Sequence, residues 1–297
     1  MLGLYIFVPI GIVAISTASI FIKFCDAPAL IIATYRLVLA SVVLCPYAAY
    51  KKPWRGWERN ELGWFFLSGL LLSLHFALWV ASLKYTSVAS SVVLVTTHPI
   101  FVGMGGLLFL KERLGLNLIL GIALSVFGSG LISYGDMGLP REASLGDGLA
   151  LLGAIAASGC LLVGKKMRRD QDLFSYIFPV YSVAGLILVL FSLVFQKPFF
   201  GYSSSIYFYL FLLALVPQLI GHTTFNRALK YLAASMVAVA ILGEPLGSTL
   251  LAYFILGEGL TAWKILGGIS IFAGILVALR KETRVAKTLT PLYPPLS

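Results

Sequence analysis

The stretch that decides the fold is residues 83–128, LKYTSVASSVVLVTTHPIFVGMGGLLFLKERLGLNLILGIALSVFG, because the chain contains it twice. Moved along by 146 residues, it aligns without a gap with residues 229–274, LKYLAASMVAVAILGEPLGSTLLAYFILGEGLTAWKILGGISIFAG. Of the 46 aligned positions 12 are identical, and these include a Lys-Tyr pair, a proline, a glutamate and two glycines. Chance does not readily preserve that spacing, so the chain is interpreted as two copies of one gene half.

The composition is that of a membrane protein. Hydrophobic residues make up 59% of the chain and charged residues 11%, and the mean hydropathy is +0.95. A soluble domain is roughly half apolar and a quarter charged, so this chain has too little charge to cover a water-facing surface. The net charge of +10 is explained by basic residues that flank membrane spans, and we expect no nucleic-acid partner.

Ten apolar segments are long enough for helices that cross a bilayer, which takes about 20 residues each. We number them spans 1 to 10, at residues 2–24, 29–50, 62–83, 88–110, 115–134, 146–163, 173–195, 206–225, 233–256 and 260–279. The loop at 135–145 separates five spans from five. The sequence therefore predicts an all-α polytopic membrane protein of ten transmembrane helices, divided into repeats at 1–135 and 146–280 and a tail at 281–297.

The distribution of basic residues predicts the orientation. Of the 22 Lys and Arg residues, 16 lie in the loops after even-numbered spans or in the tail. The positive-inside rule then places both termini and the tail in the cytoplasm. Since each half has an odd number of spans, the second copy enters the membrane from the opposite side. Such inverted repeats are the architecture of alternating-access transporters, which bind their solute where the halves meet.

The repeated motifs resemble a known family. Leu83-Lys84-Tyr85, the proline in the next span and Leu110-Lys111-Glu112-Arg113-Leu114 resemble the EamA repeat of the drug/metabolite transporter superfamily. The second copy repeats the pattern with Glu244-Pro245 in its middle. The resemblance implies a ten-helix carrier that exports amino acids or related small metabolites across the bacterial inner membrane. Open alternatives are a sugar, nucleotide-sugar or cationic-drug carrier, and a facilitated-diffusion uniporter or channel.

Two equivalent polar residues lie in the middle of spans. A charged side chain at the bilayer centre costs roughly 2.5–3.5 kcal/mol on insertion scales, so each needs a reason. Glu244 lies halfway along span 9 and His98 halfway along span 4, and the prolines that follow, Pro99 and Pro245, are predicted hinges. We expect both to face one central cavity, where Glu244 binds a substrate ammonium or a proton and His98 titrates near neutral pH. The alternative for Glu244 is a protonated or paired residue that steadies a kinked helix.

Aromatic and imidazole side chains extend this predicted cavity. His75 and Trp79 are four residues apart in span 3 and therefore share a helical face. They would stack on or hydrogen-bond a solute, or else form an ordinary helix interface. Tyr35 in span 2 and Tyr181 in span 7 occupy equivalent positions of the two copies, and we assign both to the cavity.

Arg36 is a further candidate for the cavity. It lies about a turn and a half inside span 2, and its planar guanidinium would suit the carboxylate of an amino acid. The alternatives are that it extends to the periplasmic surface or pairs with Asp26.

Residues at the helix ends have a predicted structural role. Lys84 and Lys230, like Glu112 and Glu258, lie at equivalent ends in the two copies. They are predicted to anchor helices and to pair across short loops. Small residues on one face of spans 5 and 10 predict close helix packing; they are Gly121, Ser125, Gly128, Gly267, Ser270 and Gly274.

The chain lacks the motifs of an enzyme. No P-loop, HExxH or GxSxG motif is present, the histidines lie far apart in sequence, and the three cysteines stand singly. We therefore expect no catalysis, no metal and no cofactor. The expected partners are a small-molecule substrate such as an amino acid, protons as a candidate coupling ion, and membrane lipid. The predicted assembly is a monomer or a weak homodimer in the cell inner membrane.

Overall fold

The computed structural model describes residues 2–112, 115–134, 143–257 and 259–279, and these residues are almost entirely helical. The α-helices in this part of the chain are α1 (Leu2–Phe24), α2 (Ala29–Lys51), α3 (Arg59–Ser82), α4 (Val88–Val95), α5 (His98–Phe109), α6 (Leu116–Tyr134), α7 (Ala143–Met167), α8 (Leu173–Val194), α9 (Ser204–Leu213), α10 (Thr223–Ala228), α11 (Ala234–Ile241), α12 (Gly243–Leu251) and α13 (Ala262–Leu279). A short 3₁₀-helix, Pro53–Gly56, follows α2.

The apolar lengths of these helices agree with the predicted fold class. Within the described ranges, eight helical stretches are long and apolar enough to cross a membrane. They correspond to spans 1–4 and 6–9, while spans 5 and 10 contain shorter apolar stretches, Leu116–Leu131 and Ile265–Ala278. The prediction of an all-α polytopic membrane protein is confirmed.

Three spans that were predicted as continuous helices are interrupted. Span 4 consists of α4 and α5, and span 9 of α11, α12 and a π-helical end, Ala252–Leu256. Span 8 contains a π-helical segment, Ala214–His222, between α9 and α10. Irregular backbone at membrane depth is tolerated where it is buried in protein or lines a cavity, so these interruptions indicate where a site lies.

Both mid-span prolines stand in the first turn of a new helix. Pro99 is the second residue of α5, and Pro245 is the third residue of α12. The first N–H groups of a helix have no intrahelical partner, so a proline there removes no helical hydrogen bond. The sequence predicted a kink, whereas the structure ends one helix and begins another. Whether Pro99 and Pro245 act as hinges stays a prediction.

Several contacts between spans recur when the two halves are exchanged. Span 3 packs on span 6 as span 8 packs on span 1, and span 4 packs on span 6 as span 9 packs on span 1. Span 2 packs on span 7, and span 5 packs on span 10. Each of these contacts has its exchanged counterpart, which is the pattern of an internal two-fold relation.

The contact between spans 5 and 10 depends on glycine. A Cβ on Gly121 would lie 2.7 Å from the carbonyl oxygen of Gly274, and one on Gly128 would lie 2.6 Å from that of Gly267. The two pairs interchange under the offset of 146 residues. Any side chain here would collide with backbone, so the predicted close-packing role of these glycines is confirmed.

Lysines anchor the ends of spans 3 and 8 in matching ways. Lys23 donates to the carbonyl oxygen of Leu83 at 3.0 Å, and Lys165 donates to that of Leu229 at 2.9 Å. Leu83 and Leu229 are equivalent positions of the repeat. Lys84 donates to the carbonyl oxygen of Cys25 at 3.1 Å, which agrees with its predicted anchoring role. Glu258 lies outside the described residues.

Candidate functional site

A cavity of about 70 Å³ lies between the two halves. Its wall comes from spans 3 and 4 of the first half and spans 6 to 9 of the second. Its lining residues with a polar atom in the side chain are His75, Trp79, Thr96, His98, Cys160, Tyr176, Tyr181, His222, Asn226 and Glu244. Apolar side chains complete it: Leu72, Val95, Ala157, Leu161, Val180, Phe225 and Ile241.

Equivalent positions of the repeat line this cavity together. His98 and Glu244 form one such pair, and Val95 and Ile241, the last residues of α4 and α11, form another. Trp79 and Phe225 form a third pair at the same offset of 146 residues. The cavity therefore lies where the internal two-fold relation brings the broken spans together.

The backbone next to His98 and Glu244 is held by matching serines. Ser158 Oγ lies 3.2 Å from the carbonyl oxygen of His98 and 2.7 Å from that of Ala154 in its own helix. Ser16 Oγ lies 3.4 Å from the carbonyl oxygen of Glu244 and 2.7 Å from that of Ile12. The first helix of each half thus supports the helix break of the other half.

His75, Trp79 and His222 form a group of rings on the cavity wall. His75 and Trp79 stack with an interplanar angle of 5° and a centroid distance of 6.0 Å. The His75 Nδ1 lies 3.0 Å from the carbonyl oxygen of Gly153 and donates a hydrogen bond to it. In the neutral ring Nε2 is then a hydrogen-bond acceptor. His222 lies 6.5 Å from His75 between ring centroids. Flat rings of this kind suit a planar or cationic solute.

Arg36 lies one layer behind the cavity wall. Its side chain is completely buried, and its Nε donates to Gln218 Oε1 at 2.9 Å. The guanidinium carbon lies 4.1 Å from the centroid of Phe76 and 5.8 Å from that of Trp79. Arg36 is therefore not among the residues that line this cavity, and its burial contradicts the alternative in which it reaches the surface.

Tyr35 lies away from the other predicted residues. Its hydroxyl donates to the carbonyl oxygen of Phe199 at 2.8 Å, and its ring contacts Tyr207 edge to face. Tyr181, its equivalent in span 7, lines the cavity and is buried. Tyr35 is not among the residues that line this cavity, because the loop before α9 offers its hydroxyl a carbonyl partner nearer the end of the span.

Sequence reasoning missed other polar residues in the cavity wall and behind it. Tyr176 hydrogen-bonds Ser68 at 2.7 Å between hydroxyl oxygens, and Asn226 Nδ2 donates to the carbonyl oxygen of His222 at 3.0 Å. Gln218 holds Arg36 from the π-helical segment of span 8. An amide in an apolar segment beside a proline was the signal that would have identified Gln218.

Several polar groups in the cavity wall and behind it are left without partners. Trp79 Nε1, His98 Nε2 and both Nη atoms of Arg36 are buried without a hydrogen-bond partner among the described residues. A buried donor without a partner costs free energy, roughly 1–3 kcal/mol, unless a ligand or water satisfies it. Among the described residues that line the cavity, Glu244 supplies the one carboxyl group. The described residues contain no cluster of His, Cys, Asp or Glu suited to a metal ion.

Comparison with known proteins gives matches over most of the chain. The model of the EamA-like transporter family matches residues 2–134 and 144–280. Two uncharacterized transporters of Archaeoglobus fulgidus are 25% and 24% identical, covering 94% and 91% of this chain and 93% of each relative. An uncharacterized transporter of Clostridium kluyveri is 26% identical over 73% of this chain and 72% of its own.

A solved crystal structure shares the fold. It superposes with a TM-score of 0.76, covering 95% of this chain and 98% of its own length, at 16% sequence identity.

Proposed function

Because the chain belongs to the EamA-like transporter family, we propose that it is a secondary transporter that exports amino acids or related small metabolites by alternating access. The observation that carries the proposal is a cavity lined by equivalent residues of both halves, including His98 and Glu244. Alternating access moves two related halves about a fixed midplane site. A wall shared by the halves is what that motion requires.

The proposed topology is an inverted repeat. Residues 1–135 and 146–280 form the two copies. The protein lies in the inner membrane of the cell, and both of its termini, with the tail at 281–297, lie in the cytoplasm. The exchange of helix contacts between the halves supports a two-fold relation. The odd number of spans per half makes that relation an inversion across the membrane. Reporter fusions at residue 138 and at residue 282 should read periplasmic and cytoplasmic, and the reverse at either point contradicts the scheme.

The polar groups of the site favour a zwitterion. Glu244 would bind the ammonium group, while Arg36, one layer behind Trp79, supplies the opposite charge. The rings of His75 and Trp79 would pack on the side chain of the solute. A cavity of about 70 Å³ is small beside the roughly 300–1,000 Å³ of sites for drug-sized ligands. The volume therefore favours a small solute over a nucleotide-sugar.

Glu244 is the proposed coupling residue. A carboxylic acid in an apolar site is most stable in its neutral form, and water or an ammonium group stabilises the ionised form. One carboxyl group therefore exchanges a proton arriving from one side for a cationic group arriving from the other. The alternative is facilitated diffusion, in which Glu244 only shapes the site and the solute follows its own gradient.

Counterflow in proteoliposomes tests the proposal. Liposomes loaded with an unlabelled amino acid should accumulate the labelled form transiently for at least one member of a panel, with saturable kinetics. A channel gives non-saturating flux and no accumulation. Absence of counterflow for every amino acid, together with counterflow of a sugar or a nucleotide-sugar, would replace the proposed substrate class.

A further inference from the structure

Glu112 joins the two halves at one end of the molecule. It follows α5 at the end of span 4, and its carboxylate meets the first residues of α11, where span 9 begins. Oε1 accepts from the backbone N–H of Ala234 at 2.9 Å, and Oε2 accepts from Ser235 Oγ at 3.0 Å. A carboxylate at a helix N-terminus is favoured by the helix dipole and by charge-assisted hydrogen bonds. The contact is therefore a strong one between segments of different halves.

The equivalent helix in the first half carries a cap from its own segment. Ser87 precedes α4 and accepts a hydrogen bond from the backbone N–H of Ser90, so α4 carries a cap from its own chain segment. The equivalent of Ser87 is Ala233, which has the same extended backbone and no side chain that caps α11. The N-terminus of α11 therefore relies on Glu112, although a serine at position 233 would fit.

An apolar cluster separates this contact from the cavity. It is drawn from both halves and comprises Ile15, Val102, Phe225, Ala228, Leu229, Ala234, Val237, Ala238 and Ala240, with Leu161 and Ile241 packed against it. Phe225, Leu161 and Ile241 also line the cavity, so the cluster begins at the cavity wall. Ala234, at its far end, is the residue whose N–H is held by Glu112. A solute leaving the cavity in this direction has to part the cluster.

From this arrangement we propose that Glu112 latches the cytoplasmic gate of the transporter. Its hydrogen bonds hold α11 against α5, and opening toward the cytoplasm requires them to break. The last residue of α11, Ile241, lies three positions before Glu244. Movement of α11 therefore changes the cavity wall beside the acid. This inference rests on the proposed alternating-access function and on the proposed sidedness.

Cys160 provides a native reporter for the test. It lines the cavity, whereas Cys25 is buried and Cys45 is exposed outside it. In a Cys25→Ala/Cys45→Ala background, the rate of Cys160 alkylation by a membrane-impermeant maleimide is measured from the cytoplasmic face and, separately, from the periplasmic face. Glu112→Ala should raise the cytoplasmic rate on the order of tenfold, the scale of a lost helix cap, and lower the periplasmic rate. Ser235→Ala, which removes one donor, should do the same to a smaller extent.

A second variant separates a latch from a helix cap. Ala233→Ser gives α11 the local cap that Ser87 gives α4. If Glu112 only stabilises α11, the variant Glu112→Ala/Ala233→Ser returns both rates to those of the background protein, and the latch is refuted. If Glu112 holds the halves together, the double variant keeps the raised cytoplasmic and lowered periplasmic rates.

A matched control and the transport assay complete the design. Asp172 caps its own helix through the N–H groups of Phe174 and Ser175, so Asp172→Asn should leave both alkylation rates unchanged. Equal increases from both faces in Glu112→Ala would indicate general loosening and overturn the latch. Failure of wild-type counterflow would instead contradict the proposed function. The two outcomes can be distinguished because the alkylation rates are measured without any solute.

Discussion

The contact between spans 5 and 10 and the breaks in spans 4 and 9 differ in how alike the two copies of the repeated sequence are. In the first region both copies have glycines where the backbones touch, at Gly121 and Gly128 and at their equivalents. In the second region both copies keep the helix break and the proline, but one has His98 where the other has Glu244. The packing that holds the halves together stayed alike, while the groups that face the cavity diverged.

The difference indicates which features depend on the two-fold relation. A close backbone contact between equivalent positions needs small residues on both sides, and both copies have glycine there. A cavity for an asymmetric solute needs different groups at its two ends, such as an acceptor for an ammonium group at one end only. If the cavity binds a solute whose two ends differ, equivalent positions are expected to carry different residues. His98 and Glu244 are one such pair, and Trp79 and Phe225 are another.

The largest effect is expected from a substitution that breaks the contact between spans 5 and 10. Gly128→Leu would place its Cβ 2.6 Å from the carbonyl oxygen of Gly267, so span 5 has to move away from span 10. Overpacking typically costs about 1–3 kcal/mol, and more against rigid backbone. We expect a large loss of folded protein, measured by size-exclusion chromatography and melting in detergent.

The control for this substitution lies in the same helix. A Cβ on Gly130 meets nothing within 4 Å among the described atoms, so Gly130→Leu should be tolerated. Equal behaviour of the two variants would contradict the close-packing account.

An intermediate effect is expected at the diverged pair Trp79 and Phe225. Trp79→Phe gives the first copy the ring type of the second and removes an indole N–H that has no partner among the described residues. A hydrogen bond contributes about 0.5–1.5 kcal/mol net, so apparent solute affinity in counterflow should fall by roughly twofold to tenfold. Trp79→Ala should lower the apparent solute affinity further. An unchanged affinity and solute range in Trp79→Ala would remove Trp79 from the site.

The smallest expected effect is on stability, when the serines beside the two helix breaks are replaced. Ser16→Ala and Ser158→Ala each remove a hydroxyl that lies beside the carbonyl oxygen of Glu244 or His98. Each should lower the free energy of unfolding by about 1 kcal/mol or less, and by similar amounts. A loss confined to one of the two variants, measured by thermal melting, would show that the breaks are not supported equivalently.

The fold was predictable because its signals are local. Apolar runs of fixed length gave the spans, and the spacing of Pro, Glu and Gly gave the duplication. The repeat also located Glu244 and His98, since a polar residue at mid-span is rare enough to be noticed. Helix breaks at the prolines were harder to predict, because a proline is compatible both with a kink and with the first turn of a new helix.

The rest of the site depends on how each helix is rotated against its neighbours. Tyr35 and Tyr181 are equivalent in sequence, but only Tyr181 faces the cavity. Arg36 lies behind Phe76 because Gln218 of the other half binds its guanidinium. Side-chain direction in a helix follows from packing over the whole bundle. Sequence spacing within one span therefore does not determine it.

The most direct test of the account is transport driven by an imposed pH gradient in proteoliposomes, compared between the wild type, Glu244→Gln and His98→Gln. The account predicts that the wild type accumulates solute against its gradient and that Glu244→Gln loses this accumulation while keeping some solute-for-solute exchange. His98→Gln should retain gradient-driven transport. Wild-type flux that is indifferent to the pH gradient, or a Glu244→Gln variant that matches the wild type, would contradict coupling through Glu244.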